Sequence, residues 1–398
     1  MIGAGQAGGR AALAMREAGY TGAITLVGDE AHAPYERPVL SKAFLLAADA
    51  PATWVMDEAA AASAGVDLRL GVQALGIDRE QHRVRLSDGA SLAYDRLLIA
   101  TGCRVRRLAV PGFAAEDIVY LRTIDDARAL ERRLRAKPHI VVIGGGFIGL
   151  EVAASAGARG CRVTVLEAAD RLLPRLGSPE TSALVAQHHL QNGVDIRLGV
   201  QALGAEDGVL HLSDGDRVQA DLVIAGIGVS PNTDLAAAAG LTVDDGVVVD
   251  AYGATGDPRI FAAGDVTRHF SPALGCSVRL ESWQNANLQG RAAALSLLGI
   301  PTPHDEVPWV WSDQGDLNIQ IAGFPLQIDQ TAIRGDAEAG WTIFQLHDGR
   351  LVGGLTLNRA KDMPLIRRAL GQGLSVDPAD LADDAKPLRR ILTAREIA

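Results

Sequence analysis

One stretch of the chain, residues 140–151, constrains the fold more than any other. It reads IVVIGGGFIGLE, a short apolar run followed by a glycine turn and a helix-forming segment. The glycines follow the spacing G-x-G-x-x-G, at Gly144, Gly146 and Gly149. The first glycine of such a turn allows a sharp bend, the second lets the backbone approach a pyrophosphate, and the third lets the helix pack on the strand. The stretch therefore predicts a dinucleotide-binding unit with the phosphates at a helix N-terminus.

An acidic residue follows at a suitable distance. The predicted strand 162–166 leads into Glu167, which stands 23 residues after Gly144. A carboxylate at this point hydrogen-bonds the ribose hydroxyls of NAD and repels the extra phosphate of NADP. We therefore expect this unit to bind NAD.

A second copy of the fingerprint lies at the N-terminus, at Gly3, Gly5 and Gly8. Only two residues precede it, whereas a strand usually has ~5–6, so we expect the native chain to begin further upstream. Mass spectrometry of the native N-terminus tests this expectation, and a native start at Met1 would contradict it. A helix over 6–18 and a strand over 23–27 are predicted next. Asp29 follows, near the position of a ribose-binding acid.

The two fingerprints begin two similar halves. The segment 66–76 recurs with few changes at 194–204, and each copy is followed by Leu-Ser-Asp-Gly. Each half then runs into an apolar strand that ends in glycine, at 97–102 and 222–228. This shared order predicts two nucleotide-binding units of one design that hold two different nucleotides.

Later segments suggest how the two units are connected. An apolar strand within 255–265 brings Gly264 and Asp265 to the head of a helix predicted around 285–298, where a carboxylate could bind a hydroxylated chain. A break near 230–233 suggests that the second unit is inserted into the first. From about residue 303 the pattern changes to alternating strands, with a hairpin at Asp348-Gly349 and a short helix over 363–370. This predicts a separate α+β domain.

Composition excludes several classes of protein. The net charge of −10 argues against a non-specific nucleic-acid binder, and no apolar run approaches the length of a membrane span. No secretory signal is present either, so we expect a cytoplasmic protein. Cys103, Cys161 and Cys276 are isolated, which predicts three buried thiols and neither a redox pair nor a metal site. The adjacent His188 and His189 are interpreted as a helix surface, and no metal is expected.

Five further motifs complete the pattern: Pro34-Tyr-Glu-Arg-Pro-Val-Leu-Ser-Lys42, Ala100-Thr-Gly102, Tyr120-Leu-Arg-Thr123, Gly264-Asp265 and Pro308-Trp-Val-Trp-Ser-Asp-Gln314. Together with the fingerprints, they resemble the FAD-dependent pyridine nucleotide–disulfide reductase superfamily. Within it the chain is most similar to the NADH-dependent ferredoxin reductases of bacterial Rieske-type dioxygenases and some cytochrome P450 systems.

The resemblance implies an α/β fold with two Rossmann-like dinucleotide-binding domains, the NAD domain inserted in the FAD domain, plus a C-terminal α+β domain. The FAD domain would comprise residues 1–108 and 234–302, the NAD domain 109–233 and the C-terminal domain 303–398. In this family the C-terminal domain covers the flavin and forms much of the partner surface.

The resemblance also implies the cofactor contacts. Those to FAD fall on Gly3, Gly5, Ala7, Gly8, Asp29, Arg37, Lys42, Ala74, Ala100, Thr101, Gly102, Arg122, Gly264, Asp265 and Trp283. Those to NAD fall on Gly144, Gly146, Phe147, Ile148, Gly149, Glu151, Glu167, Gly226 and Gly228.

The activity implied is hydride transfer from NADH to FAD, then release of the electrons one at a time to a 2Fe–2S ferredoxin that feeds an oxygenase. Disulfide reductases of this superfamily carry a thiol facing the flavin, but residues 37–44 offer Ser41 and Lys42 instead. We expect Lys42 to form an ion pair with Glu151 and to favour the reduced flavin; the alternative is two surface charges without contact. Trp309 and Trp311 are two residues apart and would share one face of a strand. They would lie either beside the flavin or the nicotinamide, or in the protein core.

The sequence is compatible with more than one answer on three further points. The cations Arg359, Lys361, Arg367 and Arg368 form either a docking patch for the ferredoxin or a solvated helix face. Alternative functions are a thiol-independent NADH oxidase and a redox-sensing flavoprotein that acts through partner binding. The protein is expected to be a monomer or a homodimer.

Overall fold

The computed structural model describes residues 1–113, 117–176 and 178–393. The chain divides into two compact units, each assembled from three segments of sequence. The first unit comprises Met1–Arg37, Ala52–Arg104 and Val229–Pro308, and the second comprises Pro38–Pro51, Val105–Gly228 and the chain from Trp309 onward. The α/β fold class expected from the sequence is confirmed, whereas the boundaries of the three predicted domains stay a prediction.

The first unit is built on parallel strand pairs. Ile24–Val27 pairs with Val66–Arg69, and Leu97–Ile99 pairs with Ile260–Ala262. Ile2 forms parallel bridges to both Val27 and Ile99, so the residue just before the glycine turn lies between the two pairs. Further strands of the unit are Ala74–Asp78, Arg83–Leu86, Ser91–Ala93, Val247–Val248, Thr267–Ser271 and Cys276–Val278.

Two long helices of the first unit pack through small residues. They are Gln6–Glu17 and Trp283–Leu297, and their buried contact residues are mostly alanine. A Cβ on Gly290 would lie 2.6 Å from the carbonyl oxygen of Ala7, so glycine is required for this close approach. The shorter helices are Glu58–Ser63 and Asp234–Ala238.

The second unit contains a five-stranded parallel sheet. Its strands, in spatial order, are Asp195–Leu198, Arg162–Glu167, His139–Ile143, Leu222–Ala225 and Ile118–Val119. The three central strands are buried on both faces along most of their length, which explains their apolar runs, whereas the edge strand Asp195–Leu198 has no fully buried residue. The helices associated with this part are Ala43–Leu46, Ile124–Leu134, Phe147–Ala158 and Pro179–Gln191.

The C-terminal part of the second unit is a five-stranded antiparallel sheet. Its spatial order is Trp309–Gln314, Leu317–Ala322, Arg350–Leu357, Gly340–His347 and Gln330–Asp336. The predicted hairpin is confirmed, since Asp348 and Gly349 have φ values of 48° and 70°, as a tight two-residue turn requires. The helices that follow are Met363–Gly371, Pro378–Ala382 and Leu388–Ile391.

The internal repeat is visible in the structure. Each half carries a three-stranded antiparallel sheet, and that of the second half is Ala202–Glu206, Val209–Leu212 and Arg217–Gln219. The first strand of each sheet has a register shift at the same place, between Ala74 and Gly76 in one copy and between Ala202 and Gly204 in the other. Shared irregularities of this kind indicate a common design.

Three short elements lie where segments of the two units meet in sequence: the strands Cys103–Val105 and Val229–Pro231 and the 3-10 helix Arg37–Val39. No helix among the described residues is long and apolar enough to cross a membrane.

Two interpretations of single residues are corrected. His189 was expected on a helix surface, but it is 1% exposed because this side of its helix faces the protein interior. Cys276 was expected to be buried, but it is only partly covered in the short strand Cys276–Val278, while Cys103 and Cys161 are buried as predicted.

Candidate functional site

The two glycine turns have nearly the same geometry. Gly3 and Gly144 have φ values of +108° and +109°, a conformation that L side chains rarely adopt. A Cβ on Gly3 would lie 2.1 Å from the carbonyl oxygen of Ala100, and one on Gly144 would lie 2.5 Å from that of Gly226. Gly8 and Gly149 are equally constrained, since a Cβ would meet the carbonyl oxygen of the first glycine at 2.0 Å and 2.1 Å.

The middle glycine of each turn faces open space. A Cβ on Gly5 or Gly146 would meet no atom within 4 Å. Both residues are helix N-caps without a side-chain hydrogen bond to the first turn. The helices that begin after Thr123, Ser178 and Ser282 are capped by those side chains instead. Each glycine turn thus presents a helix N-terminus that no side chain of the cap covers, which fits a pyrophosphate.

Glu167 lies at the carboxyl end of its strand beside the second turn. Its carboxylate accepts hydrogen bonds from the amides of Gly145 at 2.7 Å and Ala169 at 2.8 Å. These bonds hold the carboxylate next to the glycine turn, and its contact with a ribose stays a prediction. Ile148, also predicted to contact NAD, is 48% exposed on the helix that follows.

The strand register places a different residue at the equivalent position of the first unit. Leu166 pairs with Arg197, and Val27 pairs with Arg69 at the equivalent point of the repeat. Gly28 is therefore the counterpart of Glu167, and Asp29 stands one residue further along. A Cβ on Gly28 would lie 2.5 Å from the Ala4 side chain. Asp29 itself is exposed, and its contact with a ribose stays a prediction.

Glu30 forms a network of hydrogen bonds with Tyr35 and Arg37 that the sequence did not indicate. Its carboxylate lies 2.6 Å from Arg37 and accepts a hydrogen bond of 2.5 Å from the Tyr35 hydroxyl. Arg37, one of the predicted FAD contacts, also donates to the Tyr35 oxygen at 2.9 Å. The network fixes the segment 30–37, which carries the first part of a motif that supported the family resemblance.

Several predicted flavin contacts converge within the first unit. Ala7 lies against Gly264, where a Cβ would come within 2.9 Å of the alanine side chain. The Thr101 hydroxyl donates to the carbonyl of Asn232 at 2.9 Å, and the Asn232 amide donates back to the Thr101 carbonyl at 2.8 Å. These bonds fix the Ala100-Thr101-Gly102 turn. Two further predicted contacts are the first residues of their elements, Ala74 in the strand Ala74–Asp78 and Trp283 in the helix Trp283–Leu297.

Gln289 is a site residue that the sequence analysis missed. Its Oε1 accepts hydrogen bonds from the Gly264 amide at 2.8 Å and the Thr267 hydroxyl at 2.9 Å. The side chain is 1% exposed, so it fixes the turn that presents Asp265. Only its place on the predicted helix could have indicated it, since Gly264 lies 25 residues earlier.

The second unit contains the predicted ion pair. Lys42 Nζ lies 2.9 Å from Glu151 Oε2, and Glu151 is 3% exposed. The hydroxyl of Ser41 donates to the same oxygen, while Ser312 donates to Oε1 at 2.7 Å. Lys42 also donates to the carbonyl of Pro38 at 3.0 Å. The ion pair is confirmed, and the alternative of two surface charges without contact is wrong.

Three other predicted contact residues belong to this unit. Arg122 is half-buried and precedes Thr123, whose side chain forms a capping box with Asp126. Phe147 is the first residue of the fingerprint helix. Gly228 has a φ of +96°, and a Cβ there would lie 4.0 Å from Arg175. Their contacts with FAD or NAD stay predictions.

Trp309 and Trp311 share one face of their strand, as expected. The rings are stacked, with centroids 5.1 Å apart and planes inclined by 21°. The guanidinium of Arg367 lies 5.4 Å from the centroid of the Trp309 ring, a cation–π arrangement.

One of the four cations of the candidate docking patch is buried. Arg359 is 7% exposed and forms ion pairs with Asp362 at 2.8 Å and Asp384 at 2.6 Å. It is therefore not available as a surface cation. Lys361 and Arg368 are exposed, and their role in docking stays a prediction.

Comparison with known proteins places this geometry in a family. Residues 1–290 match the pyridine nucleotide-disulphide oxidoreductase family, and residues 309–392 match the reductase C-terminal family. The chain is 43% identical to the ferredoxin–NAD(+) reductase component of the anthranilate 1,2-dioxygenase system of Burkholderia cepacia, over 98% of each chain.

Solved structures agree with this result. The ferredoxin reductase for the CYP199A2 system from Rhodopseudomonas palustris is similar with a TM-score of 0.95 and 40% identity, over 98% of this chain and 99% of that one. The covalent putidaredoxin reductase–putidaredoxin complex gives a TM-score of 0.94 and 39% identity, over 98% and 97%. The predicted family is confirmed: the chain belongs to the pyridine nucleotide-disulphide oxidoreductases that carry a reductase C-terminal domain, which are enzymes that use a flavin and NAD(H).

Proposed function

We propose that the protein is an NADH-dependent ferredoxin reductase, which passes electrons from NADH through bound FAD, one at a time, to a 2Fe–2S ferredoxin that serves an oxygenase. Relatives at 36–43% identity are named as ferredoxin reductases of dioxygenase and related systems, and another is putidaredoxin reductase of Pseudomonas putida. The single observation that carries the proposal is the presence of two uncapped glycine turns of one geometry, one for each dinucleotide.

The first turn is assigned to FAD and the second to NADH. FAD contains the pyrophosphate that a glycine turn binds, whereas a flavin mononucleotide does not. The assignment of the second turn rests on Glu167, because its counterpart in the first unit is a glycine. Two hydrogen bonds already fix the Glu167 carboxylate, so it would bind ribose hydroxyls without being reordered.

The bound flavin supplies the redox chemistry, since it accepts a hydride and can release single electrons. The chain's own residues bind and orient the cofactors and set the local charge. We assign Lys42 to the flavin because the family resemblance implies it and because its ion pair with Glu151 is present. Glu151 keeps this ammonium in place, because a carboxylate that accepts hydrogen bonds from two serines has few other positions.

No observation favours the alternative functions. The chain has Ser41 and Lys42 in the segment where related disulfide reductases carry a thiol, and both side chains are engaged by Glu151. Among the described residues the cysteines are Cys103, Cys161 and Cys276, and none lies in that segment. A cytoplasmic location, where NADH is supplied, is part of the proposal.

Two assays test the proposed function. Heat release of the bound flavin should yield FAD, and release of flavin mononucleotide would contradict the assignment of the first turn. NADH oxidation should accelerate with added 2Fe–2S ferredoxin until it saturates. A rate that does not depend on ferredoxin would contradict the assigned acceptor.

A further inference from the structure

A chain of buried hydrogen bonds leads away from Glu151 inside the second unit. Ser312 Oγ donates to Glu151 Oε1 at 2.7 Å, and Gln314 Nε2 donates to Ser312 Oγ at 3.2 Å. Gln314 Oε1 lies 2.8 Å from His189 Nε2. Ser312 and Gln314 are fully buried and His189 is 1% exposed, so these bonds form away from solvent. The chain links the Lys42–Glu151 pair to a histidine on another helix.

The chemistry of each group fixes the direction of the chain. An ionised carboxylate only accepts, so Ser312 must donate its single proton to Glu151. The Ser312 oxygen then accepts from the amide nitrogen of Gln314, which leaves the amide oxygen facing the histidine. That oxygen also only accepts. His189 must therefore carry a proton on Nε2, and every donor in the chain points toward the carboxylate.

Burial disfavours the charged form of the imidazole at the end of the chain. Burial is the main effect on His189 and lowers its pKa below the ordinary value, and the partly opposing contribution is the hydrogen bond to Gln314. A neutral donor suits this position, because a second charge deep in the unit would need its own partner.

We propose that His189 is a positioning residue for Lys42, acting through Gln314, Ser312 and Glu151. The inference rests on the proposed role of Lys42 at the flavin. Glu151 uses one oxygen for Lys42 and Ser41 and the other for Ser312. If the donor on the second oxygen is lost or turned, the carboxylate can rotate, and the lysine ammonium that it holds moves with it. His189 prevents this by fixing the orientation of the Gln314 amide.

Three single variants test the proposal in the complete flavoprotein. His189→Phe removes the Nε2 donor but keeps a ring in the space, and it should slow flavin reduction by NADH about 2- to 30-fold. His189→Gln can place an amide N–H near the position of Nε2 and should restore most of the rate. His188→Phe makes the same change at the neighbouring residue, which pairs with the exposed Asp316 instead of Gln314, and should leave the rate unchanged. Equal rates for all variants, or no rescue by His189→Gln, would overturn the proposal.

A double variant separates this inference from the role of Lys42. If His189 acts through Lys42, adding His189→Phe to Lys42→Met should cause little further loss of rate. Two losses that multiply would show that His189 acts by another route and would overturn the proposal. If Lys42→Met alone does not slow reduction, the assigned role of Lys42 fails instead.

A spectroscopic measurement does not depend on activity. In protein labelled with ¹⁵N-histidine, the His189 signals should report a proton on Nε2 and none on Nδ1 at neutral pH. Ser312→Ala should shift these signals, because it removes the acceptor of Gln314. A proton on Nδ1 with none on Nε2 would overturn the proposal, even if His189→Phe does not fold.

Discussion

Glu167 Oε2 accepts a hydrogen bond of 2.7 Å from the amide of Gly145, inside the glycine turn of the second unit. In the first unit the residue equivalent to Glu167 is Gly28, and the residue equivalent to Gly145 is Ala4. A Cβ on Gly28 would lie 2.5 Å from the Ala4 side chain, so this position has no room for a longer side chain. The second turn thus has a carboxylate beside it, and the first turn has none at the equivalent position.

The first prediction concerns the choice of NADH. Glu167→Gln should weaken NADH binding about 10- to 100-fold, since hydrogen bonds to a charged group contribute ~1.5–3 kcal/mol. It should also reduce the preference for NADH over NADPH, because the repulsive charge is gone. Titration of flavin reduction with each nucleotide measures both effects. The control Asp170→Asn removes an exposed carboxylate nearby, and an equal loss in that variant would speak against the assignment.

The second prediction concerns the buried ion pair. Lys42→Met should slow flavin reduction about tenfold or more, as loss of a preorganised electrostatic partner does in other active sites. It should also destabilise the fold by ~1–3 kcal/mol, because Glu151 would keep a buried charge without its cation. Stopped-flow absorbance and urea unfolding measure the two effects.

The double variant Lys42→Met/Glu151→Gln provides the control for stability. It should recover much of the lost stability but not the rate of flavin reduction. Lys137→Met, an exposed lysine of the same unit, should change neither quantity. A full recovery of the rate in the double variant would rule out a role for the ammonium.

The third prediction concerns acid stability of the first unit. His304 and His269 are buried with ring centroids 5.1 Å apart, and His304 Nε2 lies 2.9 Å from Asn285 Oδ1. Burial, with a smaller contribution from His269, lowers the pKa of His304 to about 4. In the unfolded chain a histidine binds a proton near pH ~6.5.

The unfolded chain therefore binds more protons than the folded unit between these two values. The contribution of His304 to the free energy of unfolding should be fully present above pH ~6.5 and should be lost as the pH falls toward about 4. The loss between pH 7 and pH 5 should be about 2 kcal/mol. Urea unfolding followed by flavin release measures this slope. His304→Gln should flatten it, whereas His82→Asn, a partly exposed histidine of the same unit, should not. A slope that is the same in both variants would refute this account.

The fourth prediction concerns the C-terminal segment. Arg334 is 3% exposed and donates to the backbone carbonyls of Leu381, Asp383 and Lys386. Arg334→Met should destabilise this segment by ~2–4 kcal/mol, because several carbonyls lose their donor together. Limited proteolysis should then cut near 381–386, while Arg368→Met, an exposed control, should stay resistant. Equal resistance of both variants would contradict the role of Arg334.

Local patterns predicted much of the fold. The spacing of Gly144, Gly146 and Gly149 fixed the strand–turn–helix, because few other sequences can make those backbone contacts. The two-residue alternation of Trp309 and Trp311 predicted their common face, and the same rule places Ser312 and Gln314 together on the opposite one.

The missed features are contacts between distant parts of the sequence. His189 and Gln314 are 125 residues apart, and nothing in either segment indicates the other. Spacing alone also suggested Asp29 as a ribose-binding acid, whereas the strand register makes Gly28 the counterpart of Glu167, because the connection from the helix to the next strand is longer in the first half. Arg359 is buried because Asp384, 25 residues later, folds back to pair with it.

The most direct test of the proposed function is sequential stopped-flow mixing without oxygen. The flavoprotein is first reduced with NADH or NADPH and is then mixed with an oxidised 2Fe–2S ferredoxin. The account predicts fast reduction by NADH, slow reduction by NADPH and fast transfer of single electrons to the ferredoxin. Reduced protein that delivers nothing to any 2Fe–2S ferredoxin, yet is rapidly reoxidised when oxygen is admitted, would contradict it.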